Sequence, residues 1–290
     1  MRLLTRLVVL GVLAAGAVLW FTRATPVAPD RFANLTGDAE LGAAVFWAGG
    51  CASCHKAEGR DVDPTRLPGG QRFVTQFGTF VAPNISPDPI FGIGEWTLTD
   101  FASAVLNGAS PDGRHYFPAF PYTTYARMTD TDVAHLWAFM QTLPSADVES
   151  LPHEVGFPFN IRASLGPWKK LFLNTGWVQP AATPEAERGR YLVEALGHCS
   201  ECHTPRNLMG GLQVANWMSG APNPSGKGRI PGITPAHLDW SAPDIAYYLE
   251  TGFTPEFDSA GGEMANVIEN MSKLSPEDRA AIAAYVKGLP

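Results

Sequence analysis

Cys51-Ala52-Ser53-Cys54-His55 and Cys199-Ser200-Glu201-Cys202-His203 decide how this 290-residue chain is read, because between them they use all four of its cysteines. Each is a C-x-x-C-H pentapeptide, the attachment sequence for haem c. The spacing has a physical reason. Two thiols three residues apart on one helical turn reach the two vinyl groups on one edge of a porphyrin. The histidine that follows arrives under the iron as its proximal ligand. Two covalently bound haem c groups are therefore expected, one on Cys51, Cys54 and His55, the other on Cys199, Cys202 and His203. Two disulfides would also suit an oxidising compartment, but both histidines would then be coincidences. A zinc site built from two C-x-x-C pairs would have to join pairs 148 residues apart, each with its own histidine.

Working outward, the chain repeats itself. After the first motif come Gly94-Glu95-Trp96-Thr97 with Asp100, then Thr129 with Asp132, and a close at Leu143-Pro144. After the second come Leu238-Asp239-Trp240-Ser241 with Asp244, then Ser275 with Asp278, and a close at Leu289-Pro290. The offset is 148 residues at the cysteines, 144 at the tryptophans and 146 at the closing Leu-Pro. Thr97, Thr129, Ser241 and Ser275 each stand three residues before an acid, the capping-box spacing that satisfies orphan donors in a first helical turn. Pro276 suits a first helical position, and Gly108, Gly252 and Gly288 suit helix stops. Val133, Leu136, Trp137 and Met140 form an apolar face at helical spacing, as do Ile282, Tyr285 and Val286. Helices near 39–47 and 184–196 run into the two motifs, and no alternating strand pattern stands out. The expected fold is all-α: two tandem cytochrome c-like haem domains, at 37–144 and 183–290, joined by a linker at 145–182. In each, the haem supplies apolar volume that a domain of this size lacks.

A sixth ligand must be sought by position, since a methionine is more often packing than ligand. Met140 lies within the apolar helix face, which leaves Met128, on a loop just before Thr129, for the first iron. In the second half Met264, after Gly261-Gly262-Glu263, is preferred to Met271, with Met209 and Met218 as further candidates. The expected iron ligands are thus His55 with Met128 and His203 with Met264. A methionine opposite a histidine gives a closed iron of raised potential, suited to electron transfer. His115, beside Tyr116, is read as a loop residue, His135 as packing or exposed, and His153, His198 and His237 show no ligand spacing. Lys169-Lys170 reads as a solvated turn.

At the N-terminus, Leu7 to Phe21 is an apolar run preceded by Arg2 and Arg6 and followed by Arg23. Its length lies between a signal-peptide core and a spanning helix. Without an A-x-A cleavage site after it, residues 1–23 are read as an uncleaved, single-pass signal anchor and 24–36 as a tether. The basic flank keeps the start cytoplasmic and places the haem domains in the periplasm, on an inner membrane. The net charge is -7, and beyond residue 23 the body holds 18 basic against 28 acidic side chains. That balance argues against a nucleic-acid partner and for docking to basic or neutral protein surfaces.

The chain resembles the diheme cytochromes c related to the cytochrome subunits of membrane-bound alcohol, aldehyde and gluconate dehydrogenases. Besides the two haem motifs, the resemblance rests on Asn84-Ile85-Ser86-Pro87 and Gly92-Ile93-Gly94-Glu95-Trp96-Thr97. It continues through Tyr116-Phe117-Pro118-Ala119-Phe120-Pro121-Tyr122, Arg127-Met128-Thr129-Asp130 and Phe157-Pro158-Phe159-Asn160-Ile161-Arg162. It ends with Thr204-Pro205-Arg206-Asn207 and Gly262-Glu263-Met264-Ala265. It implies electron transfer rather than bond chemistry, from a periplasmic dehydrogenase to a downstream cytochrome, oxidase or quinone system. Some relatives carry methionine where Phe120 stands, and some carry a third haem domain beyond the two expected here. The alternative is a diheme peroxidase with one open iron, with His115 and Glu95 as conceivable helpers.

Overall fold

The computed structural model describes residues 2–59, 62–224, 226 and 228–290; Met1, the first residue of the expected anchor, lies outside them. Helix α1 (Arg2–Phe21) is long and apolar enough to cross a bilayer, and none of it is buried against the body. The first half follows as α2 (Ala39–Ala48), α3 (Cys51–His55), a hairpin of β1 (Arg72–Thr75) and β2 (Gly78–Val81), α4 (Leu98–Asn107), α5 (Tyr122–Tyr125) and α6 (Asp130–Met140). Helix α7 (Leu165–Phe172) lies between the halves. The second half runs α8 (Pro184–Tyr191), a π-turn at Leu192–Leu196, α9 (Ser200–His203), a two-residue pairing of β3 (Ala221–Pro222) with β4 (Arg229–Ile230), α10 (Ala242–Thr251), α11 (Glu263–Met271) and α12 (Pro276–Lys287).

The expected helix starts form for the expected reason. Thr97 and Ser241 each complete a capping box with Asp100 and Asp244, and Thr129 and Ser275 accept the amides of Asp132 and Asp278. Gly108 and Gly252 end α4 and α10 in the left-handed region, at φ 56° and 75°, where glycine carries no Cβ penalty. The β1–β2 hairpin was not legible, because four-residue strands carry too few alternations to register.

Each half is built on one helix crossing. Helix α2 packs across α6, and α8 across α12. Gly42 and Gly189 lie at the crossings. A methyl group on either would run into a partner-helix carbonyl, His135 O or Ala281 O. The crossings bury Val133, Leu136 and Met140 on α6 and Ile282, Tyr285 and Val286 on α12, in one core that is continuous through both halves.

The connecting segments are more than spacers. Residues 24–36, expected as a tether, lie along the first half. Val27 and Phe32 are buried in its core, Val27 N donates to Ser103 Oγ at 3.1 Å, and Arg31 forms a two-pronged ion pair with Asp130. The end of α1 is fastened as well: Thr22 lies hard against Gly166 of α7, and His115 Nε2 is 3.0 Å from Thr22 O. Lys169 corrects the reading of Lys169-Lys170 as a solvated turn. Its ammonium donates to Asn107 O and Gly108 O at 2.6 and 2.8 Å and lies over the Tyr122 ring. A left-handed helix end leaves carbonyls that a nearby lysine can satisfy.

Candidate functional site

Both motifs form a single helical turn, so that two thiols and one imidazole face the same way. The turn at Cys51–His55 follows α2 directly, and the turn containing Cys202 and His203 follows the π-turn after α8. All four cysteines are free thiols, which removes the disulfide alternative. Among the described residues, no three His, Cys, Asp or Glu side chains gather to hold a metal ion, which removes the zinc alternative.

The histidines are oriented identically. His55 Nδ1 lies 2.8 Å from Pro83 O, and His203 Nδ1 lies 2.7 Å from Pro231 O. A carbonyl oxygen only accepts, so each Nδ1 carries the proton and each Nε2 keeps its lone pair for a metal. Burial lowers the pKa of both imidazoles and keeps them neutral. Burial also pushes the thiols of Cys51, Cys54 and Cys199 up to about 12. Two accessible thiols with one neutral, singly donating imidazole, presented twice, are the donor set that covalent haem attachment needs, and the residues fit that group.

The two motifs abut. Gly50 and His198, the residues just before Cys51 and Cys199, both have left-handed backbone, at φ 65° and 39°. A Cβ on Gly50 would stand 3.3 Å from His198 Nε2. Tyr125 Oη donates to Gly49 O at 2.6 Å, and its ring packs edge-on to His198. After burial and Glu263, the charge of Cys202 is a further cause of the raised Cys54 pKa. Each half also grips the haem motif of the other. Thr123 Oγ1 donates to Glu201 at 2.7 Å, and Arg206 pairs with the same carboxylate. On the opposite side Asn270 Nδ2 donates to Ser53 Oγ at 2.8 Å, Ser53 Oγ donates to Asn266 O, and Lys56 pairs with Glu269. The expectation of no ligand spacing at His198 missed its place in this junction; the signal was its position, 148 residues after Gly50.

The methionines divide. Met264 is half-buried at the start of α11 and packs against the core, while Met128 is buried just before Thr129, with its amide donating to Tyr125 O at 2.8 Å. Met271 is buried at the end of α11, and Met218 is wholly buried. His135 Nδ1 accepts from Asp38 N at 2.8 Å, and His153 Nδ1 accepts from Val81 N at 3.2 Å. One buried carboxylate escaped the sequence reading: Glu194, in the π-turn, accepts from Val178 N, Gln179 N and Tyr285 Oη.

Fold and site together define a helical protein with two covalently bound haem c groups. The cytochrome c family model matches residues 39–144 and again 186–290, and the chain belongs to the cytochrome c family. It is 55% identical to a diheme cytochrome c-type protein of Cereibacter sphaeroides, over all of this chain and 98% of that one. It is 36% identical to the fructose dehydrogenase cytochrome subunit of Gluconobacter japonicus over 92% of this chain, spanning 56% of that subunit. It is 34% identical to the gluconate 2-dehydrogenase cytochrome c subunit of Pantoea cypripedii over 83% of this chain, spanning 57% of that subunit. The chain is thus a diheme cytochrome c related to electron-transfer subunits of dehydrogenases.

Proposed function

We propose that the chain is held on the outer face of an inner membrane by α1 and carries electrons from a periplasmic dehydrogenase into the respiratory chain. Cys51 and Cys54 tether one haem and Cys199 and Cys202 the other. His55 and His203 are the proximal ligands, and Met264 is the sixth ligand of the second iron. The two haem units are residues 37–144 and 183–290. When bound, the haems supply the one-electron chemistry. The polypeptide holds them close and sets their potentials through ligands and burial.

The observation that carries this reading is the junction of the two motifs, where Gly50 meets His198 and each half hydrogen-bonds the other's haem turn. Electron tunnelling falls steeply with distance, so turns in contact favour relay from one iron to the other. The relatives named as dehydrogenase cytochrome subunits support a dehydrogenase as donor. The apolar, unburied α1 with Arg2 and Arg6 in its first turns supports the anchor and its orientation.

The test is expression in cells competent for cytochrome c maturation, with a periplasm-dependent reporter fused after Pro290. The expected product sits in the membrane fraction, shows reporter activity and exceeds the polypeptide mass by two haems. A soluble product starting beyond Phe21 would remove the anchor, and a product without thioether-bound haem would remove the whole reading.

A further inference from the structure

We propose that the first-half iron has no methionine ligand and that its face beside Phe120 is open to a small neutral diatomic molecule, carbon monoxide being the probe, whereas Met264 closes the second. This deepens the electron-transfer reading above and rests on Met264 as a ligand there.

The two halves can be superposed residue by residue through their hydrogen bonds. From Trp96 and Trp240 onward the offset is 144 residues. It pairs the capping boxes of Thr97 and Ser241 and the left-handed stops Gly108 and Gly252. It pairs the bridge Ala109–His115 with Phe253–Ser259. Ser110 N donates to Arg114 O as Thr254 N does to Asp258 O, both at 2.9 Å. Tyr116 N donates to Gly108 O as Ala260 N does to Gly252 O, both at 2.8 Å. Four residues past this last pair stand Phe120 and Met264, both half-buried and both packed against the core. Carried forward at the same offset, Phe120 takes the station of the second half's proposed ligand, and a phenyl ring has no lone pair to offer iron.

Counting back from the final helices gives the station of Met128. Thr129 and Ser275 cap α6 and α12 at an offset of 146. The residues before them are Met128 and Leu274, each 5% exposed. Met128 N donates to Tyr125 O and Leu274 N to Met271 O, the same turn in each half. The two residues by which the offsets differ fall between Tyr116 and Tyr125 on one side and Ala260 and Met271 on the other, where α11 is nine residues and α5 four. Met128 thus takes the place of a leucine, a residue that packs and cannot ligate. Met128 was expected as the sixth ligand; its register makes it core. The other first-half candidates described are engaged elsewhere: Met140 is buried in α6, His115 turns to Thr22 O, His135 to Asp38 N and His153 to Val81 N.

The surroundings of Phe120 fit an apolar ligand. Its ring is edge-on to Tyr116, Tyr122 and Tyr125, with centroids 5.8, 6.3 and 5.9 Å away. Polarity and access on the distal side decide what a haem iron accepts, and a wall of aromatic rings favours a neutral diatomic over an anion.

The experiment uses the full-length, haem-loaded protein, first assayed for two haems, then reduced under carbon monoxide. Wild type is expected to take one carbon monoxide per two haems and to show, when oxidised, the weak red sulfur-to-iron band of one haem. Phe120→Met is expected to lose carbon monoxide binding and double that band. Met128→Leu is expected to match wild type in both. A wild type that binds no carbon monoxide, or a Met128→Leu variant that gains a site, overturns the proposal. Met264→Phe is expected to add a second site. Its failure to do so removes Met264 as ligand while leaving the first-half result standing.

Discussion

Asn270, on α11 in the second half, donates through Nδ2 to Ser53 Oγ inside the first haem motif at 2.8 Å. The same Nδ2 donates to Asn266 O at 2.7 Å, and the residue is 1% exposed. Thr123 and Thr124 hold Glu201 of the second motif in the reciprocal way. Each haem turn is therefore positioned by the half that does not contain it.

Asn270→Ala should break this grip. It removes two part-buried hydrogen bonds of a buried side chain and leaves Ser53 short of a partner, a loss of about 1–3 kcal/mol. Denaturant unfolding of the haem-loaded protein would measure it. Ser53→Ala in the same background should cost less than it does in wild type, because the two residues share one bond. Additive losses would show that the contact contributes nothing.

Gly42→Ala and Gly189→Ala should each destabilise the chain by about 2 kcal/mol or more, since the added methyl meets a helix carbonyl that cannot retreat without parting the crossing. Thermal unfolding would read both. Gly113→Ala, at a position with open space but φ 78°, isolates the cost of backbone conformation alone.

Burial lowers the pKa of Lys169 to about 8, from an ordinary 10.5. Between these values the unfolded chain keeps the proton that the folded chain has released. Stability from this group therefore rises as pH climbs from about 8 towards 10.5, and the penalty is full below 8. Unfolding midpoints across that range should show the rise in wild type, and Lys169→Met should remove it.

The two haems should also differ in potential. A methionine sulfur raises a haem's potential, so under the proposed ligation the first iron should be the harder to reduce and electrons should run from the first half to the second. Spectroelectrochemical titration should resolve two waves. Phe120→Met should lift the lower wave and leave the upper in place. A single unshifted pair of waves in the variant would contradict this order.

What the sequence made legible was local. Thr97, Thr129, Ser241 and Ser275 announced their helices because a cap and its acid lie three residues apart, and the cysteines carried their histidine beside them. What it hid was distant. Asn270 and Ser53 are 217 residues apart, and nothing near either names the other. Lys169 was misread because a basic pair looks solvated until the carbonyls of Asn107 and Gly108 at the end of α4 are in view. The cap offset of 146 that sets Met128 opposite Leu274 was likewise present in the repeat, and it is the basis on which the ligand proposal departs from the expectation.

The close seating of Thr22 on Gly166, with His115 beside it, fixes the end of α1 to the body. For an anchored chain, the body would not pivot on a loose stalk. It would present a constant aspect to the bilayer, so a donor drifting laterally in the same plane would find one bearing of the cytochrome, and encounters would become a two-dimensional search with little tumbling left to resolve.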